Sequence, residues 1–291
     1  MTGRLTPPPG GEVESVTTRV LASRRYRHVD PALVERLAAE ETPKAKNLAD
    51  VEKRTKRRLH QIFGAYTGQP DYTKLLLNLT AAWQTGDEAE IRAACREAMA
   101  AHASTRERLA VLDEFYERVF AITGIPTSIV DIAAGLNPLA VPWMQLGTDT
   151  RYVAYDIDSQ MLGFVDGALE LFGVPHRAET RDIVSDPPQD TCDVALLLKS
   201  VPCLDQQDPA ASARIIHTIR ARQVVVTFPT RSLGGHAKGM AQNYRTRFES
   251  LLAELGSGFA LAGEVELANE LVFVIDRDAG REMRDANEMA H

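Results

Sequence analysis

The sequence predicts an α/β protein, with an all-helical N-terminal part followed by a seven-stranded, mostly parallel sheet whose last two strands form an antiparallel hairpin. Three observations carry this. Apolar residues recur at three- and four-residue spacing through residues 15–125, with no strand-like alternation. After residue 125, five short runs rich in β-branched residues alternate with helical patterns, which implies parallel strands with helices on both faces. Near the end, two strand-like runs are separated only by a tight break at Ala268-Asn269, so they must pair antiparallel.

The helices follow in order. VESVTTRVLAS and PALVERLAAEE are the first two, with Pro31 as a first helical residue behind a capping Asp30. DVEKRTKRRLHQIFGAY is the third, interrupted near Gly64 and Gly68. YTKLLLNLTAAWQTG, DEAEIRAACREAMAAHAS and STRERLAVLDEFYERVFAITG complete the set. Asp87 and Ser104 suit N-caps there, and Gly86 and Gly124 suit helix stops. The strands are TSIVDIAAG, RYVAYDID, HRAETRDI, CDVALLLKS and RQVVVTFPT, then the hairpin GFALAGEVEL and NELVFVIDR. The expected division is a Pro/Gly-rich tail over 1–14, a helical domain over 15–125, a sheet domain over 126–278 and a second tail over 279–291.

Composition excludes several classes. A chain of 291 residues with 44% apolar and 25% charged residues is an ordinary globular protein. No apolar run approaches the roughly 20 residues needed to span a bilayer, and the first residues lack a secretory h-region. Cys95, Cys192 and Cys203 are odd in number, far apart and without a CxxC, which argues against disulfides or a zinc site and for the cytoplasm. No metal ligand set is expected.

A formal charge of −7 speaks against nucleic acid until it is divided. Residues 1–58 hold 13 Lys/Arg against 8 Asp/Glu, so the remainder holds 20 against 32. The excess comes from Arg19, Arg24, Arg25 and Arg27, then Lys53, Arg54, Lys56, Arg57 and Arg58. Such asymmetry suits a polyanion-binding face, although each cluster alone also suits a solvated helix surface.

In a doubly wound sheet the ligand site lies beyond the carboxyl ends of the strands. The first strand runs into Asp131-Ile132-Ala133-Ala134-Gly135, where glycine permits close backbone approach. This is not G-x-G-x-x-G, which disfavours NAD or FAD. Asp156, 21 residues after Gly135, is placed to accept from ribose hydroxyls, while Asp158 suits a helix cap. Asp182 could accept from an adenine amino group, with Ile183 packing on the ring. Lys199, after a run of apolar residues, either faces an anion at the mouth or snorkels at the rim. Arg106 or Arg108 could pair with a ligand carboxylate or with a surface acid such as Glu114. Five parallel strands, a terminal hairpin and nucleoside-binding acids form the pattern of a Rossmann-like class I S-adenosylmethionine (AdoMet)-dependent methyltransferase.

The motifs STRER before the sheet, VDIAAGLNPLA, YDID and LLLKSVPCLDQQ together resemble one family. It is the aminoglycoside-resistance 16S ribosomal RNA methyltransferases that modify N7 of guanine 1405 in the decoding A site. The likeness is greatest to the members found in aminoglycoside-producing actinomycetes and covers nearly the whole chain. The resemblance implies AdoMet as methyl donor and S-adenosylhomocysteine as product. It implies Arg108 on the methionine carboxylate, Ala133 and Gly135 along the methionine, Asp156 on the ribose and Ile157, Asp182 and Ile183 at the adenine. Leu198 and Lys199 would sit by the methyl donor and target. The 30S subunit would be the partner of a monomeric enzyme, contacted by Arg24, Arg25, Lys53, Arg54, Lys56, Arg57 and Arg58, and also by Asp205, Arg231 and His236. Asp205 departs from the Glu usual there. Guanine N7 carries a lone pair and no proton, so no general base is required. Two rival readings stay open: a small-molecule AdoMet methyltransferase with a helical lid, and a non-catalytic RNA-binding module.

Overall fold

The structure is a computed structural model and describes residues 11–63, 70–230 and 240–277. Seven helices come first: α1 Gly11–Leu21, α2 Pro31–Glu41, α3 Leu48–Phe63, α4 Tyr72–Thr85, α5 Glu88–Met99, α6 Ala103–Arg108 and α7 Leu112–Thr123. The alternating half contains β1 Ser128–Ile132, the short α8 Val141–Met144, β2 Arg151–Asp156, α9 Ser159–Leu171, β3 His176–Thr180 and β4 Thr191–Leu198. It continues with α10 Val201–Gln207, α11 Ala211–Thr218, β5 Arg220–Pro229, α12 Met240–Leu255, β6 Ala260–Glu266 and β7 Glu270–Asp276.

All seven expected strands are present, in the order β3-β2-β1-β4-β5-β7-β6. Neighbours are parallel as far as β5, whereas β7 pairs antiparallel with both β5 and β6. The central strands are apolar on both faces because both are covered. Ile129, Val194, Leu196 and Val272 join one core beneath α5, α7 and α9. Val130, Ala195, Leu197 and Phe273 point the other way into a second core with α11 and α12. Consecutive residues thus divide between the two faces, and parallel pairing of β1 to β5 places their carboxyl ends on one rim.

Caps settle the helix limits. The Asp30 carboxylate accepts from Ala32 N ahead of Pro31, Asp87 accepts from Ala89 N and Glu90 N, and Asp158 accepts from Gln160 N and Met161 N. Gly86 and Gly124 end their helices at φ 69° and 72°. Ser104 is not a cap: α6 starts one residue earlier behind His102, and the chain breaks again at residues 109–111 before α7. The single helix read from STRER onward is therefore two.

The boundary expected at residue 125 does not coincide with the division of cores. Helices α4–α7 supply Leu79, Met99, Phe115 and Val119 to the core under the sheet. Only α1–α3 have a core of their own, built on Val16, Val20, Leu33, Val34, Leu37 and Leu59. Helix α1 also begins at Gly11, inside the stretch expected to be tail. The protein is thus a helical first unit, residues 11–63, attached to a three-layer α/β body.

Backbone pairing joins the first unit to the body at one segment. His28 O accepts from Ser159 N at 2.8 Å, Asp30 N donates to Ile157 O at 2.8 Å, and Val29 bridges Asp158 antiparallel. The side chain of Ile157 packs into the first unit's core.

Candidate active site

A cleft enclosing about 960 Å³, its mouth included, opens at the carboxyl ends of β1–β4. Seven of the nine cofactor residues expected from the sequence line it: Ala133, Asp156, Ile157, Asp182, Ile183, Leu198 and Lys199.

The β1 turn is built from left-handed backbone, with Ala133 and Gly135 both at φ 54°. For alanine this conformation is strained, and such strain persists only where surroundings over-determine it. Ala134 N donates to Tyr155 O at 2.9 Å, and Gly135 N donates to Asp156 Oδ2 at 2.9 Å, so the turn is tied to the end of β2. A Cβ on Gly135 would stand 3.1 Å from the His102 ring. Glycine is needed there for both φ and space. His102 is held neutral: burial, with Arg106 and Arg108 nearby, lowers its pKa to about 4.

Asp156 accepts from Gly135 N on one oxygen and from Ile157 N, at 2.7 Å, on the other. Burial pushes its carboxyl up to about 6 against these bonds. Across the cleft, Asp182 is 3% exposed and receives a two-pronged contact from Arg36 of α2, a residue the sequence did not single out. Leu33 of α2 and Ile62 of α3 also line the cleft, as do Tyr72, His102, Ser104, Ser200, Cys203 and Gln207, none of them foreseen.

Lys199 follows β4 at φ 59°, its N–H donating to Thr227 O and Oγ1 at 3.1 and 3.0 Å. Its ammonium meets Glu107 at 3.0 Å and Glu270 at 3.4 Å, so Lys199 is neither a snorkelling rim residue nor a free base. The buried hydroxyl of the adjoining Ser200 has no hydrogen-bond partner among the described residues.

Arg108 departs from expectation. It does not line the cleft; it is 1% exposed behind it. Its guanidinium donates to Glu270 at 2.7 and 3.1 Å and to Asn137 Oδ1 at 2.9 Å, and stacks on Phe115. Although burial disfavours its charge, Glu270 stays below the usual carboxylate range because Arg108, Lys199 and a 2.6 Å bond from Thr227 stabilise it. A completely buried charge needs such pairing. Gly135 likewise shapes the cleft from behind without lining it.

The two basic clusters meet in the first unit, where Arg25 Nη2 contacts His60 Nδ1 at 3.0 Å. Arg24, Lys53 and Arg57 are exposed. Three other cations are engaged internally: Arg54 with Asp50 and Glu41, Lys56 with Glu52, and Arg58 with Glu40 and Glu41. Asp205 is also engaged, accepting from Ser212 N and pairing with Arg247, and it does not line the cleft. Arg231 and His236 lie outside the described residues. Among the described residues no helix is long and apolar enough to cross a membrane, and no acid, His and Cys cluster could hold a metal ion.

Sheet order, a terminal hairpin and a strand-end cleft lined by Asp156 and Asp182 define a class I methyltransferase. Residues 22–274 match the family described as ribosomal RNA methyltransferase (FmrO), and the chain belongs to that family. A 16S rRNA (guanine(1405)-N(7))-methyltransferase of Micromonospora echinospora is 44% identical over 275 residues, covering 94% of this chain and 99% of the relative. One of the same description from Frankia casuarinae is 44% identical over 269 residues, covering 91% and 94%. The crystal structure of the 16S rRNA methyltransferase RmtF with S-adenosyl-L-homocysteine superposes with a TM-score of 0.78 at 33% identity, covering 91% of this chain and 98% of that one.

Proposed function

We propose that the protein transfers a methyl group from AdoMet to N7 of guanine 1405 of 16S rRNA within the 30S subunit, and so confers aminoglycoside resistance on its host. The carrying observation is the cleft itself. It presents a carboxylate pair, Asp156 and Asp182, apolar walls at Ile157 and Ile183, and a Ser200 hydroxyl without a partner among the described residues. This donor set suits AdoMet: Asp156 for ribose hydroxyls, Asp182 for the adenine amine, Ala133 and Leu198 along the methionine, and Lys199 as the cation facing the cleft. AdoMet supplies an electrophilic sulfonium methyl when bound.

The chain's own contribution is positioning. Lys199 is charge-paired and His102 neutral, which agrees with a nucleophile that needs no proton removed. Holding reactants in register can contribute roughly 7–11 kcal/mol. Extracting a stacked guanine costs a few kcal/mol, which phosphate contacts from Arg24, Arg25, Lys53 and Arg57 help offset. We assign Arg108 a supporting role beneath the methionine end, holding Glu270 and through it Lys199. We further place the enzyme in the cytoplasm, where 30S subunits are, and infer a monomer. Exposed large apolar side chains among the described residues are confined to Leu77, Trp83, Ile125 and Leu261, on α4, the α7–β1 loop and β6.

Isolated 30S subunits incubated with the protein and tritiated AdoMet should acquire one methyl group at guanine 1405, mapped by reverse transcription after cleavage at the modified base. Transfer to a small metabolite and none to 30S would overturn this function.

A further inference from the structure

Asp182 belongs to the α/β body, yet its carboxylate is held by the first unit. Arg36 Nε donates to Oδ2 at 2.6 Å and Nη2 donates to Oδ1 at 3.1 Å. The same Nη2 donates to Gln207 Oε1 at 2.8 Å, and Nη1 donates to Glu40 at 3.0 Å. Asp182 and Gln207 line the cleft, whereas Arg36 stands behind them. Among the described residues, Arg36 is the one cation in ion-pair contact with Asp182. The nearer Arg181 is engaged by Glu179 and Asp186. The remaining donors to Asp182 are Ser185 Oγ at 2.8 Å and Val184 N at 3.3 Å, both weaker neutral contacts.

A carboxylate 3% exposed at the wall of a binding cleft is costly unless paired, and its orientation follows its strongest donors. A planar guanidinium fixes both oxygens at once, which an ammonium cannot do. We propose that Arg36 is the positioning residue for adenine recognition: it aims Asp182 at the exocyclic amine, so the RNA-docking unit completes the cofactor site. Two further contacts place that unit at the same subsite. Leu33 and Ile62 line the cleft, and residues 28–30 hold residues 157–159 beside Asp156. Nucleoside selectivity therefore depends on α2 being seated against the body.

This inference rests on AdoMet being the cofactor, and the test separates the two. Calorimetry compares S-adenosylhomocysteine with S-inosylhomocysteine, in which an oxygen replaces the 6-amino group. Wild type should prefer the adenine ligand by about tenfold or more, because the analogue leaves a buried acceptor facing an acceptor. Arg36→Met should bring the two affinities to within about twofold, and Arg36→Lys should give an intermediate ratio, since it restores charge without the planar fork. An unchanged ratio in both variants, or equal loss of both ligands, would overturn the positioning role and leave the cofactor standing. If Arg36→Met does not fold, the ratio in Arg36→Lys decides alone, and a wild-type ratio there overturns the proposal. Failure of wild type to bind S-adenosylhomocysteine would overturn the cofactor assignment together with this inference.

Discussion

At the residue scale, the cleft is governed by a few side chains whose charges are set by burial. Asp156 titrates near 6, above the ordinary carboxylate value, because burial disfavours its ionised form. In the role proposed for Asp156, ribose hydroxyls would donate to that ionised form, so binding would favour deprotonation. Affinity for S-adenosylhomocysteine should therefore rise as pH increases from about 5 to about 7, where protonation ceases to compete. Asp156→Asn should bind about tenfold or more weakly at pH 7 and lose most of this dependence; titrations at three pH values would show it. Asp156, Asp182 and Lys199 could be placed from sequence because each stands at its strand's end or within two residues of it, and strand ends are local facts. Arg36 and Glu270 could not. Their partners are 146 and 162 residues away, and nothing local distinguishes Arg36 from any surface arginine on an amphipathic helix. For Arg108 the residues alone leave a ligand carboxylate and an acidic side chain equally open, because spacing cannot show that its guanidinium meets Glu270.

Among the secondary-structure elements, α3 divides its cations by face. Val51, Thr55 and Leu59 face inward and are buried, while Lys53, Arg57 and His60 recur on the exposed side. Arg54, Lys56 and Arg58 point back to acids of the same unit. Replacing Lys53 and Arg57 by Ala should therefore weaken 30S binding and lower the slope of log affinity against log salt by up to about 2, with little loss of stability. Replacing Arg54 and Arg58 instead should change that slope less. Filter binding at several salt concentrations distinguishes the pairs, and equal slopes would contradict the division. The basic clusters were legible as a charge run; the engagement of Arg54 and Arg58 by Glu40 and Glu41 was not, since it depends on how α2 and α3 cross. The seven strands were legible because buried parallel strands are continuous apolar runs, whereas the break inside STRERLAVLDEF depends on packing of both α6 and α7 against the sheet.

For the whole molecule, the two cores imply unequal stability. The first unit buries ten apolar side chains among the described residues, against the two much larger clusters flanking the sheet. At roughly 1.5–3 kcal/mol for each large apolar side chain, such a core falls short of the conformational entropy of ordering the unit, so the unit depends on its contacts with the body. Amides of α1–α3 should thus exchange with solvent well before those of β4 and β5, and S-adenosylhomocysteine should slow exchange in both because its cleft is walled by both. Protection confined to the sheet would contradict the shared wall. The division of charge, basic in the first 58 residues and acidic thereafter, follows the same architecture, so the chain's overall charge describes neither surface.

The strand-like bridge between residues 28–30 and 157–159 also orders events during synthesis. The ribosome makes the first unit well over a hundred residues before the segment that secures it, since Ser159 lies 131 positions beyond His28. Until then a nascent chain must keep α1–α3 together on their small core alone. Only once β2 has emerged can the unit begin to seat, and Arg36 meets Asp182 and Gln207 later still. An arrested chain ending before residue 157 thus carries the exposed cations of the first unit but neither the anchor nor a complete site.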